Sequence, residues 1–120
     1  MPVHKHIDSC SVHCSIGTIY VEFEKKYGRG CDLVIIDKNK KIICLIEAKR
    51  GNITVSDVND ARDQLNYAEQ QLQDRYVGYK FIKIFLHCRR GRFDSRAVAK
   101  LSKDGIIKVY SGEDIAKEIL

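Results

Sequence analysis

Three side chains in this sequence could do chemistry together: Asp32, Glu47 and Lys49. Glu47 and Lys49 flank Ala48 at the end of the apolar run Ile42–Ile46, and Asp32 heads the run Leu33–Ile36. Two neighbouring carboxylates repel, and a like-charged pair raises one pKa unless a cation neutralises it. Mg²⁺, or Mn²⁺ in its place, is a hard cation that takes one or two carboxylates and keeps its other positions for water and phosphate oxygens. It lowers the pKa of a bound water and polarises a phosphodiester. A lysine ammonium beside it can position the attacking water or stabilise charge in the transition state.

For these groups to meet, the chain must form a hairpin. Residues 31–37 and 41–49 read as two apolar strands around the turn Asp37-Lys38-Asn39-Lys40. If Lys38 to Lys41 form the loop and Asp37 faces Ile42, counting back along both strands places Asp32 opposite Glu47. Opposed residues of an antiparallel pair have Cβ atoms about 4.5–5.5 Å apart. Alternation then puts Glu47 and Lys49 on one face with Val34, Ile36, Ile43 and Leu45. Leu33, Ile35, Cys44, Ile46 and Ala48 take the other face. Both faces are apolar, so the hairpin is expected at the centre of a covered sheet.

Around this hairpin the expected order is α-β-β-β-α-β-α-β-α. Val3, Ile7, Cys10 and Cys14 recur at helical spacing and suggest a weak first helix ending near Gly17. Residues 18–24 alternate as a strand, although Ile16, Ile19, Tyr20, Phe23 and Tyr27 also fit a helix over 16–27. Ser56 is the expected N-cap of a long amphipathic helix marked by Val58, Ala61, Leu65, Ala68 and Leu72. Residues 79–88 form a strand, Asp94 or Ser95 opens a short helix through Leu101, residues 106–110 form a strand, and Ser111 caps a last helix. A three-strand meander followed by βαβ crossovers implies an α/β domain: a central mixed β-sheet with helices on both faces.

The 120 residues suffice for one compact domain, with 44% hydrophobic and 31% charged side chains. The uncharged apolar runs are far too short to cross a bilayer, and the first residues hold no apolar signal region. The five cysteines are an odd count, three of them in or beside strand-like runs. They read as reduced thiols, which together with the missing signal points to a cytoplasmic protein. The formal charge of +5 fits a polyanionic partner without requiring one.

The joint pattern Gly30-Cys31-Asp32-Leu33-Val34-Ile35 and Leu45-Ile46-Glu47-Ala48-Lys49 resembles the PD-(D/E)xK superfamily, the restriction-endonuclease-like nucleases. Residues 17–88 follow that family's core order. The resemblance implies a restriction-endonuclease-like core and a Mg²⁺-dependent endonuclease acting on DNA, in the manner of junction resolvases or restriction enzymes. It makes Asp32 and Glu47 metal ligands, adds the carbonyl of Ala48 as a third, and makes Lys49 the catalytic lysine. Gln64, followed by Tyr67 in the next helix, matches loosely a glutamine that several branches place near the site. Many relatives add an acidic residue from the first helix, for which Asp8 or Glu22 is the candidate. Many also act as homodimers. Cys31 stands where the family often has proline.

Other constellations compete. Arg89, Arg90, Arg92 and Arg96 follow a central strand and could clamp phosphates, or form a solvated loop. Lys5, Arg29 and Arg50 lie nearer the proposed site and are further candidates for backbone contact. Lys38, Lys40 and Lys41 sit at the hairpin tip, away from Asp32, and read as solubilising charges. His4, His6, Cys10, His13 and Cys14 offer zinc ligands; on a helix His6, Cys10, His13 and Cys14 share one side, but no paired module spacing is present. A Cys/His nucleophile pair lacks an evident orienting group. The rival functions are thus a non-catalytic nucleic-acid-binding module and a zinc-stabilised interaction protein.

Overall fold

The amino-terminal apolar residues pair across a hairpin instead of stacking along a helix. In the computed structural model, residues 30–87 and 91–109 are described in full, and three earlier strands by their backbone. Those strands are β1 (Val3–Ile7), β2 (Cys10–Cys14) and β3 (Thr18–Val21). β1 and β2 form their own antiparallel sheet, which replaces the first helix expected from sequence. The reason is visible in the pattern. Val-His-Lys-His-Ile and Cys-Ser-Val-His-Cys each alternate, and the phase shifts by one between Ile7 and Cys10. Two short alternating strands with that shift imitate a helical spacing, while Val, His, Ile and Cys have little helix propensity to support one. Residues 18–21 are strand, which decides against the helical alternative there.

The central hairpin has the expected register. β4 (Leu33–Asp37) pairs antiparallel with β5 (Ile42–Lys49), from Asp37↔Ile42 to Leu33↔Ile46. The turn is fixed by Asp37, whose Oδ1 accepts the amides of Asn39 at 3.0 Å and Lys40 at 3.1 Å. Lys41 closes the loop in the left-handed region at φ 56°. β3 adds antiparallel to β4, from Thr18↔Asp37 to Val21↔Val34.

Helix α1 (Val55–Leu72) starts one residue earlier than Ser56. Its cap is Thr54, in a capping box with Asp57. Val58, Ala61, Leu65, Ala68 and Leu72 are all buried, as their three- and four-residue spacing requires. β6 (Lys80–His87) returns parallel to β5, α2 (Ser95–Lys103) follows from an Asp94 cap, and β7 (Ile106–Val109) lies parallel to β6. The main sheet therefore runs β3-β4-β5-β6-β7: a meander, then two βαβ crossovers.

The sheet divides the core as alternation demands. Val34, Ile36, Ile43, Leu45 and Phe85 pack with the apolar faces of α1 and α2. Leu33, Ile35, Cys44, Ile46 and Ala48 form a second cluster with Ile82, Ile84 and Leu86. Both described helices lie on the first face, so helices on both faces are not found among the described residues. The expected last helix, from Ser111, lies outside them. Lys83 Nζ pins α1 to the sheet, 2.8 Å from Glu69 Oε1 and 2.7 Å from Asn66 Oδ1. No helix among the described residues is long and apolar enough to cross a membrane.

Leu65 is fully buried beneath the sheet, whereas Val77 is 81% exposed in the turn before β6. Leu65→Ala should therefore lose about 2–5 kcal/mol in urea unfolding. Val77→Ala should stay within about 0.5 kcal/mol of the parent.

Candidate active site

Asp32 is the first residue past the last ladder pair of the β4–β5 hairpin. It therefore cannot continue the backbone ladder as a strand residue, and side chains take over the pairing. The Asp32 N–H donates to Glu47 Oε1 at 3.2 Å. The Ala48 N–H donates to Asp32 Oδ2 at 2.8 Å. Each carboxylate thus holds a backbone amide from the other strand, and the two acids are locked side by side. Bonds from amides to charged acceptors contribute about 1.5–3 kcal/mol each. They offset part of the cost of burying Glu47, which is only 6% exposed.

The approach to Asp32 is equally constrained. Gly30 sits at φ 117°, a backbone conformation closed to ordinary side chains. Its N–H donates to Gln64 Oε1 at 2.9 Å. Gln64 therefore positions the segment that delivers Asp32, and α1 reaches the site through this contact. Cys31 between them is fully buried, and its Sγ donates to the Leu33 carbonyl at 3.4 Å. Burial, with the charges of Glu47 and Asp32 nearby, pushes the thiol far above its ordinary pKa and keeps it neutral.

Lys49 ends β5 two residues after Glu47, on the same face by alternation. It is half-buried and has no ion-pair partner among the described residues. Its neighbour on β6 is His87. The His87 ring is buried, donates from Nε2 to the Gly51 carbonyl at 2.7 Å and packs edge-on against Phe93. Nothing local in the sequence marks the role of His87, because its partner lies 36 residues away. Beyond it, the segment after β5 and the segment after β6 are tied together. Ile53 N–H donates to the Arg92 carbonyl at 2.7 Å, Asp94 N–H to the Ile53 carbonyl at 3.0 Å, and Arg92 N–H to Asn52 Oδ1 at 2.9 Å. A Cβ on Gly91 would run into the backbone of Gly51, so the close approach needs glycine there.

Of the other expected contributors, Arg50 and Arg92 lie exposed at this end of the sheet. Arg29, Arg89, Arg90, Asp8 and Glu22 fall outside the described residues. Among the described residues no three His, Cys, Asp or Glu side chains gather into a metal cage. Asp32, Glu47 and the carbonyl of Ala48 are instead a small set of hard oxygen donors. Such a set suits a cation that keeps most of its own water, as Mg²⁺ does, and not a fully enclosed ion. Comparison with family models, with curated proteins and with solved structures finds no match to this chain.

Removing the Gln64 carbonyl should loosen the entry to Asp32. Gln64→Leu is expected to cost about 1–3 kcal/mol in denaturant unfolding, since it strands the buried Gly30 N–H. Gln64→Glu keeps an acceptor and should lose clearly less.

Proposed function

We propose that this chain is a metal-dependent nuclease that hydrolyses DNA phosphodiester bonds, with the core of the PD-(D/E)xK superfamily. One observation carries the reading: bonds from the Asp32 amide to Glu47 and from the Ala48 amide to Asp32 hold the two acids together at the end of the central hairpin, with Lys49 following on the face of Glu47. The meander β3-β4-β5 followed by β5-α1-β6 has the element order that the family resemblance implies. Asp32, Glu47 and the Ala48 carbonyl are the residues that would hold Mg²⁺ or Mn²⁺, and the ion would activate water and polarise the scissile phosphate. Lys49 brings its ammonium to the developing negative charge. Gln64 acts on the chemistry through Gly30 and is a positioning residue. The buried cysteines Cys31 and Cys44 suit a reducing, intracellular setting. Pairing of two copies, which would let both strands be cut, follows from the resemblance alone.

The DNA backbone has a path at this end of the sheet. Two cavities of about 430 and 530 Å³ adjoin through Thr54 and Asp94. Arg92 lines the first, and Arg96 and Lys100 the second. Arg96 pairs with Asp94 at 3.3 Å and Lys100 with Asp104 at 3.3 Å, so each cation reaches phosphate by exchanging a carboxylate partner. The expected affinity is accordingly modest and salt-sensitive.

Supercoiled, linear and branched DNA incubated with the protein in Mg²⁺, Mn²⁺ or EDTA test the reading. Cleavage is expected only with the metal, and Asp32→Ala and Lys49→Ala should each lower it by at least ~100-fold. Cleavage that persists in Asp32→Ala overturns the assignment. DNA binding without cleavage by the parent protein in either metal leaves a binding module in its place. Saturating Mg²⁺ should also raise the melting temperature of the parent protein, by the equivalent of about 2.7 kcal/mol at a hundredfold excess over Kd. Asp32→Ala should show no such rise.

A further inference from the structure

His87 ends β6 on the sheet face that carries the proposed catalytic groups. β5 and β6 run parallel, with Glu47 beside Phe85 and Lys49 beside His87. In-register residues of neighbouring strands share a face, and the strands lie about 4.7–4.9 Å apart. Lys49↔His87 is the last rung of this ladder, so Lys49 has paired backbone behind it and a connecting segment ahead. That segment turns at once. Gly51, two residues on, sits at φ 77°, in the left-handed region that glycine adopts without strain. Glycine is also the residue with most backbone freedom to lose. The end of β5 keeps its course only if this residue is held.

Two groups hold it. The His87 ring binds the Gly51 carbonyl through Nε2 at 2.7 Å. A carbonyl only accepts, so Nε2 carries the proton and donates it. The backbone of Gly91 also lies so close that a Cβ there would strike Gly51. The ring is itself fixed. It is 4% exposed and stands edge-on to Phe93, with 5.4 Å between ring centroids. Phe93 stands edge-on to Phe85 at 5.6 Å, and Lys108 Nζ lies over its ring at 5.0 Å. His87 is thus buried, and its Nε2 donor is committed to main chain, so it acts on the site through the backbone and not by touching a substrate. We infer that His87 is a positioning residue: by clamping the Gly51 carbonyl it fixes the end of β5, and with it the direction in which Lys49 presents its ammonium. The catalytic consequence rests on the nuclease reading above, whereas the clamp does not.

Three substitutions separate the donor from the ring. His87→Phe keeps the aromatic packing and removes the donor. His87→Asn holds its amide too near its own backbone to reach Gly51, and His87→Gln extends an amide N–H to about the place of Nε2. Hydrogen exchange of the full chain reads the clamp without any catalysis. Residues 49–53 should exchange at least ~10-fold faster in His87→Phe and His87→Asn, the interior of α1 should not change, and His87→Gln should stay near the parent. With DNA and Mg²⁺ the first two variants should lose ~10- to 100-fold in kcat with KM held within ~2-fold, and His87→Gln should recover most of kcat. The parent protein gives a reading that needs no variant: nitrogen resonances of its His87 ring, assigned through contacts with Phe93, should show the proton on Nε2. The inference is overturned by a neutral ring protonated on Nδ1, by unchanged exchange in His87→Phe, by unchanged kcat where exchange has risen, or by equal losses in His87→Gln and His87→Phe. A parent inactive with both Mg²⁺ and Mn²⁺ overturns the nuclease reading and the catalytic consequence with it, while exchange still decides the clamp.

Discussion

The register of the β4–β5 hairpin is the constraint on which the rest of the molecule depends. A slip of one residue would exchange the two faces of β5. Ile43 and Leu45 would leave α1, Cys44 and Ile46 would take their place, and Glu47 would turn away from the helix side. The register is secured from both ends. At the tip, Asp37 gathers the amides of Asn39 and Lys40, and Lys41 accepts a positive φ. At the open end, Glu47 accepts the Asp32 amide and Asp32 accepts the Ala48 amide where the ladder stops. The candidate catalytic acids are thus also the clasp of the hairpin. Neutralising either one would disturb fold and chemistry together, so activity and stability need separate measurement in the same variants.

The elements beyond the hairpin serve mainly to hold that open end. Parallel pairing brings the ends of β5 and β6 to the same edge, where His87 fastens Gly51 and the Ile53–Phe93 bridge joins the two following segments. α1 leaves this edge from its Thr54 cap and comes back to the site through Gln64. Each contact spans a long stretch of sequence and closes a large loop, so the edge is rigid only when the whole sheet is formed. Further along the helix, Lys83, Glu69 and Asn66 add an ion pair and a hydrogen bond to the apolar packing of Ala68 and Leu72.

What was legible from sequence follows from where the information is local. The hairpin could be counted out because its turn is short and both its strands are apolar without a break, which fixed the faces of Val34, Ile43 and Leu45 correctly. The long helix could be read from Val58 to Leu72, but its cap moved from Ser56 to Thr54 because Asp57 completes a box only with Thr54. The amino-terminal strands were hidden because two phase-shifted alternations produce spacings of four, three and four, which a helix produces as well. His87 and Gln64 were illegible in role, since their partners Gly51 and Gly30 are distant in sequence and contribute only backbone atoms.

Cys31 shows how the site's surroundings set its appetite for charge. An ionisable residue with a lower pKa at this point would add a third negative charge beside Asp32 and Glu47. The thiol does not, because its burial and those same carboxylates hold it protonated. It acts as an apolar wall in contact with the helix-side core. An apolar wall lowers the local dielectric and strengthens the repulsion between the two acids. Two amide donors offset only part of that repulsion, since each serves one oxygen. A small divalent cation meets the remainder better than a lysine does, because it carries twice the charge and can sit between both groups. On the proposed reading, Lys49, one step further out and half-buried, would be left to act on a substrate instead of neutralising the acids.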